Sequence, residues 1–125
     1  MTQPSTARAF ARRPALIVYL TCGDPDLATS LALCRMLAEE GVDLIELGIP
    51  FSDPVAEGPV IEAASLRALA VGTTSDDVFA LARSLRSGDD EHAAVDIPLV
   101  CMTYANIVFA YGIEMWGQSA RQSGI

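Results

Sequence analysis

The chain has 125 residues, 51% of them hydrophobic, and a formal net charge of −8 with arginine as its only basic residue apart from one histidine. The apolar content excludes a disordered chain, and the length fits one domain or part of one. The negative charge argues against a nucleic-acid partner, because phosphate contacts need clustered lysine and arginine. No apolar run approaches the roughly 20 residues that a membrane span requires.

Residues 1–14 are predicted to form an N-terminal extension or a short helix. Arg8, Arg12 and Arg13 precede a short apolar run, an order that signal peptides also show. TCGDP follows that run where a signal peptide has small residues for cleavage. The sequence therefore favours a cytoplasmic protein.

The first βα unit begins with Ala15–Leu20, a continuous apolar run typical of a strand that is covered on both faces. Asp24 is predicted to cap the following helix, with Pro25 at its first position. The helix is expected to continue to about Glu40, and Gly41 ends it.

The next strand, Val42–Gly48, carries the first candidate for chemistry. Its even-numbered residues, Glu46 among them, share one face and its odd-numbered residues share the other. A carboxylate on the inner face near the carboxyl end of a strand is costly to bury without a partner or a task. In parallel α/β proteins that end of the strand is where chemistry occurs. Glu46 is thus either catalytic or a strand-end glutamate paired with an arginine.

The second half of the chain repeats the alternation of helix and strand. A helix is predicted from Pro59 or Val60 to Gly72, and the pair Thr74 and Asp77 predicts a capping box for another helix that reaches about Arg86. The remaining predicted elements are a third strand at Ile97–Met102, a loop at Thr103–Tyr111, and a last helix with Ile113, Trp116 and Ala120 on its inner face. Right-handed crossovers then give a three-stranded parallel sheet with helices outside.

Three cysteines, Cys22, Cys34 and Cys101, are odd in number, widely spaced and set in apolar surroundings. They are predicted to be reduced core thiols, since the pattern supports neither a disulfide framework nor a zinc site. No metal and no cofactor are predicted.

Four segments resemble the tryptophan synthase alpha subunit family. They are YLTCGDPD at Tyr19–Asp26, IELGIPFSDPVAEGPVI at Ile45–Ile61, ASLRALAVGTT at Ala64–Thr74 and MTYANIVFAYGIE at Met102–Glu114. The resemblance implies a (β/α)8 barrel, of which residues 15–125 would supply about the first three β/α units. It also implies cleavage of indole-3-glycerol phosphate to indole and glyceraldehyde 3-phosphate in tryptophan biosynthesis. The implied partner is the tryptophan synthase beta subunit, in an α2β2 complex.

The same resemblance assigns catalytic roles to two residues. Glu46 matches the family's catalytic glutamate, a general acid that protonates indole C3 so that the C3–C1′ bond can cleave. Glu57 stands where the family has an aspartate that handles the indole N–H. Glutamate places this charge about one methylene further out, and a misplacement near 1 Å can cost roughly a hundredfold in rate.

Further residues are expected at the substrate and at the partner. Tyr19 and Tyr104 match aromatic positions beside the indole, although either ring could instead fill the protein interior. Pro50, Asp53 and Asn106 match segments that meet the beta subunit, and Asp53 has the alternative role of stabilising a turn ahead of proline.

Two other functions stay open at this point. A complete barrel needs about 250 residues, so the chain could be a truncated or degenerate, non-catalytic piece that acts by associating with another chain through its open sheet edges. Marginal solubility of the isolated chain follows from such edges. A lyase that releases indole without a beta partner is the third possibility.

Overall fold

The computed structural model describes residues 3–11 and 14–125, so Arg12 and Arg13 lie outside the described residues. A short 3-10 helix, Thr6–Phe10, occupies part of the predicted N-terminal extension. The other elements, in chain order, are β1 (Ile17–Thr21), α1 (Leu27–Glu39), β2 (Leu44–Gly48), α2 (Pro59–Ala70), α3 (Ser75–Ser87), β3 (Leu99–Met102), α4 (Ala105–Tyr111) and α5 (Ile113–Ser123). The division into an extension and a barrel domain remains a prediction.

The three strands form a parallel sheet, as the sequence predicted, and the structure shows their order to be β1-β2-β3. The central strand β2 pairs with β1 from Leu44 to Gly48 and with β3 from Ile45 to Gly48. This register places Glu46 between Tyr19 on one side and Val100 on the other. Within the described residues, the outer edges of β1 and β3 have no strand neighbour.

The predicted alternation along β2 is confirmed by its contacts. Ile45 and Leu47 are fully buried in one apolar cluster with side chains of α1, α3 and α5. Glu46, between them in sequence, is only partly buried. Because successive side chains of a strand point to opposite faces, the helices cover one face and Glu46 lies on the other.

The start of α1 corrects the prediction. Asp26 caps this helix, with its Oδ1 accepting a hydrogen bond from the backbone N–H of Thr29 at 2.7 Å. Asp24 instead accepts two hydrogen bonds from Arg67 of α2, at 2.7 and 2.8 Å. The carboxylate that sequence reasoning assigned to the cap is therefore used to join α2 to the turn after β1, and Pro25 precedes the helix.

The third strand also begins later than predicted, at Leu99 instead of Ile97. The carbonyl of Ile97 accepts a hydrogen bond from the Arg86 guanidinium at 2.8 Å, and Pro98 is the first residue whose carbonyl meets β2, at Ile45. At Ile97, a hydrogen bond from the Arg86 side chain to the carbonyl thus takes the place of a hydrogen bond between strands.

The segment predicted as the loop Thr103–Tyr111 is mostly the helix α4. Ile107, Val108 and Tyr111 fall at helical spacing and pack against the apolar cluster, which explains the helix. Ile113 was predicted on the inner face of the last helix but is 60% exposed.

Three aromatic rings, from α3, α4 and α5, pack against one another on the inner side of the C-terminal helices. Trp116 is buried, and its ring centroid lies 5.0 Å from Phe79 and 5.5 Å from Tyr111, both edge to face. The predicted inner position of Trp116 is confirmed.

All three cysteines are free, with Cys22 and Cys34 fully buried and Cys101 partly buried. Burial raises the pKa of the Cys34 and Cys101 thiols to about 12 and raises the pKa of Cys22 as well. At neutral pH these thiols are protonated and unreactive. In the described part of the chain, no helix has the length and apolar character needed to cross a bilayer.

The predicted capping box is present and provides a stability test. The Thr74 hydroxyl accepts from the N–H of Asp77 at 3.3 Å, and the Asp77 carboxylate accepts from the N–H of Thr74 at 2.8 Å. Thr74→Ala is expected to lower the free energy of unfolding by about 1 kcal/mol. Denaturant titration checks this, with Ser75→Ala as the matched control outside the box. Equal losses in the two variants would contradict a capping role.

Candidate active site

A cavity of about 180 Å³ lies at the carboxyl ends of the strands. It is lined by Tyr19 of β1, by the loop after β2, by the start of α2 and by Met102–Tyr104. Three of the residues singled out from the sequence meet here, namely Tyr19, Glu57 and Tyr104. The cavity therefore occupies the place that parallel α/β proteins use for chemistry.

Glu57 is held in this cavity by Tyr104. The Tyr104 hydroxyl donates a hydrogen bond to Glu57 Oε2 at 2.5 Å and accepts one from the backbone N–H of Val55 at 2.9 Å. The Tyr104 ring also packs on Phe51, with centroids 4.7 Å apart. The hydrogen bond from Tyr104 lowers the pKa of the Glu57 carboxyl group, which therefore stays ionised at neutral pH.

Glu46 is the middle residue of β2, two residues before the carboxyl end of the strand, and it does not line the cavity. It is partly exposed, and within the described residues its carboxylate has no hydrogen bond and no arginine partner. The alternative of a strand-end ion pair thus has no support in the described part of the chain. Its neighbour across the ladder is Tyr19.

Tyr19 lies near both carboxylates. Its hydroxyl is 3.1 Å from Thr21 Oγ1, and its ring lies so close to Gly48 that a Cβ there would be 2.3 Å from the hydroxyl. Burial raises the pKa of the Tyr19 phenol, and the negative charges of Glu57 and Glu46 raise it further. The phenol is therefore protonated at neutral pH and can donate a hydrogen bond.

Sequence reasoning did not assign Gly48, Phe51 and the N–H of Val55 to the site. A glycine on the inner face of a strand often marks a place where another group approaches closely, so Gly48 was available as a signal. Val55 contributes only its backbone N–H, a group that every residue except proline has, so its residue type could not indicate this role.

The three residues expected at the partner lie around this site without forming its walls. Pro50 is buried, whereas Asp53 and Asn106 are exposed. Asp53 Oδ2 accepts a hydrogen bond from the hydroxyl of Ser52 at 2.7 Å, and both of its proposed roles stay predictions. Among the described residues, no group of three or more histidine, cysteine, aspartate or glutamate side chains could hold a metal ion.

Comparison with known proteins places this architecture. The family model described as "Tryptophan synthase alpha chain" matches residues 6–125. The chain belongs to the tryptophan synthase alpha chain family. It is 45% identical over 124 residues to the tryptophan synthase alpha chain of Opitutus terrae and 50% identical over 111 residues to that of Methanosarcina mazei. These matches cover 95% and 89% of this chain, but only 44% and 38% of the relatives.

Solved structures of the family agree with the fold. The tryptophan synthase alpha subunit of Legionella pneumophila superposes with a TM-score of 0.83 at 38% identity, covering 95% of this chain and 44% of that one. A chain of tryptophan synthase from M. tuberculosis gives 0.82 at 34% identity, with 95% and 45% covered. The prediction of a partial (β/α)8 barrel is confirmed. The chain spans less than half the length of the relatives that it matches.

The contact between Gly48 and Tyr19 predicts that a methyl group at Gly48 would disturb the site. Gly48→Ala is expected to displace the Tyr19 ring and to lower the free energy of unfolding by about 1–3 kcal/mol. Gly117→Ala is the matched control, because a Cβ there meets nothing within 4 Å and alanine favours the helix by about 1 kcal/mol. Denaturant titration of both variants measures the difference. A stabilised Gly48→Ala would contradict the close approach.

The hydrogen bond between Tyr104 and Glu57 predicts a pKa change. In Tyr104→Phe the pKa of Glu57 is expected to rise toward its ordinary value, because the carboxylate loses its donor. The native hydrogen bond from Tyr104 to the Glu57 carboxylate is present above the lowered pKa of Glu57 and is lost as the pH falls through that pKa. Carboxyl ¹³C NMR titration measures the shift, with Tyr111→Phe, which removes a donor to Asp76, as the control. An unchanged Glu57 pKa in Tyr104→Phe would exclude this coupling.

Proposed function

We propose that the protein is the lyase subunit of a tryptophan synthase, cleaving indole-3-glycerol phosphate to indole and glyceraldehyde 3-phosphate. Family membership supports this proposal, and one structural observation carries it. The carboxylate of Glu57 is fixed by Tyr104 in a cavity beside Tyr19, and Glu46 is the residue paired with Tyr19 across the β1–β2 ladder. Two carboxylates of different environment near one tyrosine suit acid chemistry on a bound ring.

Glu46 is proposed as the general acid. Proton transfer from its carboxyl group to indole C3 makes the ring cationic and weakens the C3–C1′ bond. The electron pair of that bond then returns to the ring, while the C1′ hydroxyl loses its proton to the Glu46 carboxylate and becomes the aldehyde, which restores the protonated acid. General acid catalysis of this kind contributes about 10²–10⁴-fold to a rate.

Glu57 is proposed to accept a hydrogen bond from the indole N–H and to stabilise the positive charge of the protonated ring. The ionised state that Tyr104 favours at Glu57 is the state this role requires. Glutamate has one more methylene than the family's aspartate and more rotamers to restrict. The hydrogen bond from Tyr104 supplies such a restriction, which supports a functional Glu57.

The aromatic side chains suit the indole end of the substrate. Tyr19, Phe51 and Tyr104 line the cavity, and flat apolar rings are the common walls of aromatic-ligand sites. The volume of about 180 Å³ is below the ~300–1,000 Å³ of typical ligand pockets, so the described residues supply one part of the site. The glycine-rich phosphate loops expected near strands seven and eight of the barrel are not among these 125 residues.

A cytoplasmic α2β2 complex with a beta subunit is the proposed assembly. Support comes from the matched structures of tryptophan synthase and from the exposure of Asp53 and Asn106 beside the cavity. Pro50 is buried, so its proposed contribution is to shape the loop that carries Asp53.

The non-catalytic alternative is favoured by the strand edges of β1 and β3, which lack neighbours in the described part of the chain. Under that alternative the chain associates through these edges and Glu46 has no catalytic role. A stand-alone lyase would instead cleave the substrate at full rate without a beta subunit. The same kinetic experiment separates all three.

Glu46→Gln is the decisive variant, made in the protein expressed from its whole native reading frame. We expect kcat for cleavage of indole-3-glycerol phosphate to fall by about 10²–10⁴-fold with KM little changed, because the acid acts in the transition state. Glu62→Gln, an exposed glutamate in the first turn of α2, is the control and should retain the native rate.

Assays with and without the beta subunit complete the experiment. Stimulation by that subunit supports the complex, whereas an equal rate in its absence favours the stand-alone lyase. Native activity in Glu46→Gln would overturn the assignment of the acid, and inactivity of the unaltered protein would favour the non-catalytic alternative.

A further inference from the structure

A second cavity, of about 530 Å³, lies at the opposite end of the sheet. It is formed by the last turns of α3 and α5, by Ala94–Asp96 and by Gln3 and Pro4. Ala94–Asp96 precedes β3, whereas the walls of the candidate active site follow β2 and β3, so the two cavities open at opposite strand ends. Its volume is within the ~300–1,000 Å³ typical of small-molecule sites.

This cavity is positively charged although the chain as a whole carries a net charge of −8. Arg83, Arg86 and Arg121 line it, which is three of the eight arginines. Asp96 is the acid among its described lining residues, and its carboxylate accepts hydrogen bonds from Arg8 at 3.2 Å. An excess of positive charge therefore remains.

Arg86 fixes the cavity walls. Its guanidinium donates to the carbonyl oxygens of Gly124, Val95 and Ile97 at 2.7–3.0 Å, which ties the end of α5 to the segment before β3. The side-chain amide of Gln3 donates to the carbonyl of Arg121 and fastens the N-terminal segment to α5. The concave shape is thus set by bonds within the chain and needs no ligand to form.

The other two arginines are available to a ligand. Arg83 and Arg121 are exposed, and their guanidiniums donate to no acceptor in the part of the chain that the structure describes. A cation at the end of a helix also interacts favourably with the helix dipole, which accounts for part of the placement of Arg121, in the last turn of α5. It does not account for two guanidiniums from different helices lining one cavity. Such a pair suits an oxyanion, which arginine binds through two parallel hydrogen bonds.

We propose that this cavity binds a small organic oxyanion, a phosphate ester or a carboxylate, through Arg83 and Arg121. The site is separate from the proposed lyase chemistry, and its ligand is bound without reaction. Since none of its lining residues also lines the candidate active site, it is a second binding function of this chain.

The test follows the arginine Nε–Hε signals by NMR in the protein expressed from its whole native reading frame. Inorganic phosphate and succinate are titrated separately at constant ionic strength, with sodium chloride as the reference. We expect the Arg83 and Arg121 signals to shift together and to saturate, while the Arg67 signal at its Asp24 ion pair stays constant. Saturation with phosphate alone, with succinate alone or with both identifies the anion class.

Matched substitutions locate the binding. Arg83→Gln is expected to weaken binding, read at the Arg121 signal, by at least about tenfold, because a charge-assisted hydrogen bond is lost. Arg67→Gln removes the same charge elsewhere and should leave the affinity unchanged. The proposal is overturned if shifts rise linearly without saturating, or if the two variants weaken binding equally. It is also overturned if Arg83→Gln only lowers the unfolding temperature, since the arginines would then serve the helix ends alone.

Discussion

The central strand β2 is the constraint on which the rest of the structure depends. It is hydrogen-bonded on both sides, and the full burial of Ile45 and Leu47 fixes which of its faces meets the helices. A register slip of one residue would bring Glu46 into the apolar cluster and expel its neighbours. The burial of two aliphatic side chains thus determines where a carboxylate stands at the opposite face.

The loop after β2 has few apolar contacts of its own and depends on β3 for its position. Tyr104, two residues after β3, contributes a ring to Phe51, accepts from the N–H of Val55 and donates to Glu57. Binding loops on a rigid sheet are common because the sheet supplies precision and the loop supplies chemistry. In this chain one tyrosine joins the two, because Tyr104 follows the sheet strand β3 and its hydroxyl donates to Glu57 in the loop.

Local patterns predicted most of the elements, apart from α4, whereas side-chain hydrogen bonds between distant residues were not predicted. Alternation in β2, the capping box at Thr74 and the glycine after α1 are properties of neighbouring residues, and the structure confirms each of them. The predicted N-cap of α1 was wrong because the carboxylate of Asp24 accepts a hydrogen bond from Arg67, 43 residues away. The start of β3 was wrong for a related reason, since a side chain of α3 takes the carbonyl of Ile97.

In the candidate site too, the residues were predicted from the sequence, but the contact between them was not. The strand pattern singled out Glu46, and the resemblance to the family added Glu57, Tyr19 and Tyr104. The hydrogen bond that links Tyr104 to Glu57 spans 47 residues and required the fold. Arg67 and Arg86 form the hydrogen bonds that made these two predictions wrong, and each of them joins a helix to a segment at a strand end. Arg67 acts at the carboxyl end of β1 and Arg86 at the amino end of β3. These two cations are thus placed where backbone and carboxylate oxygens gather. Among the residues that the structure describes, the guanidiniums of Arg83 and Arg121 have no such acceptor, which is the ground for proposing a ligand there.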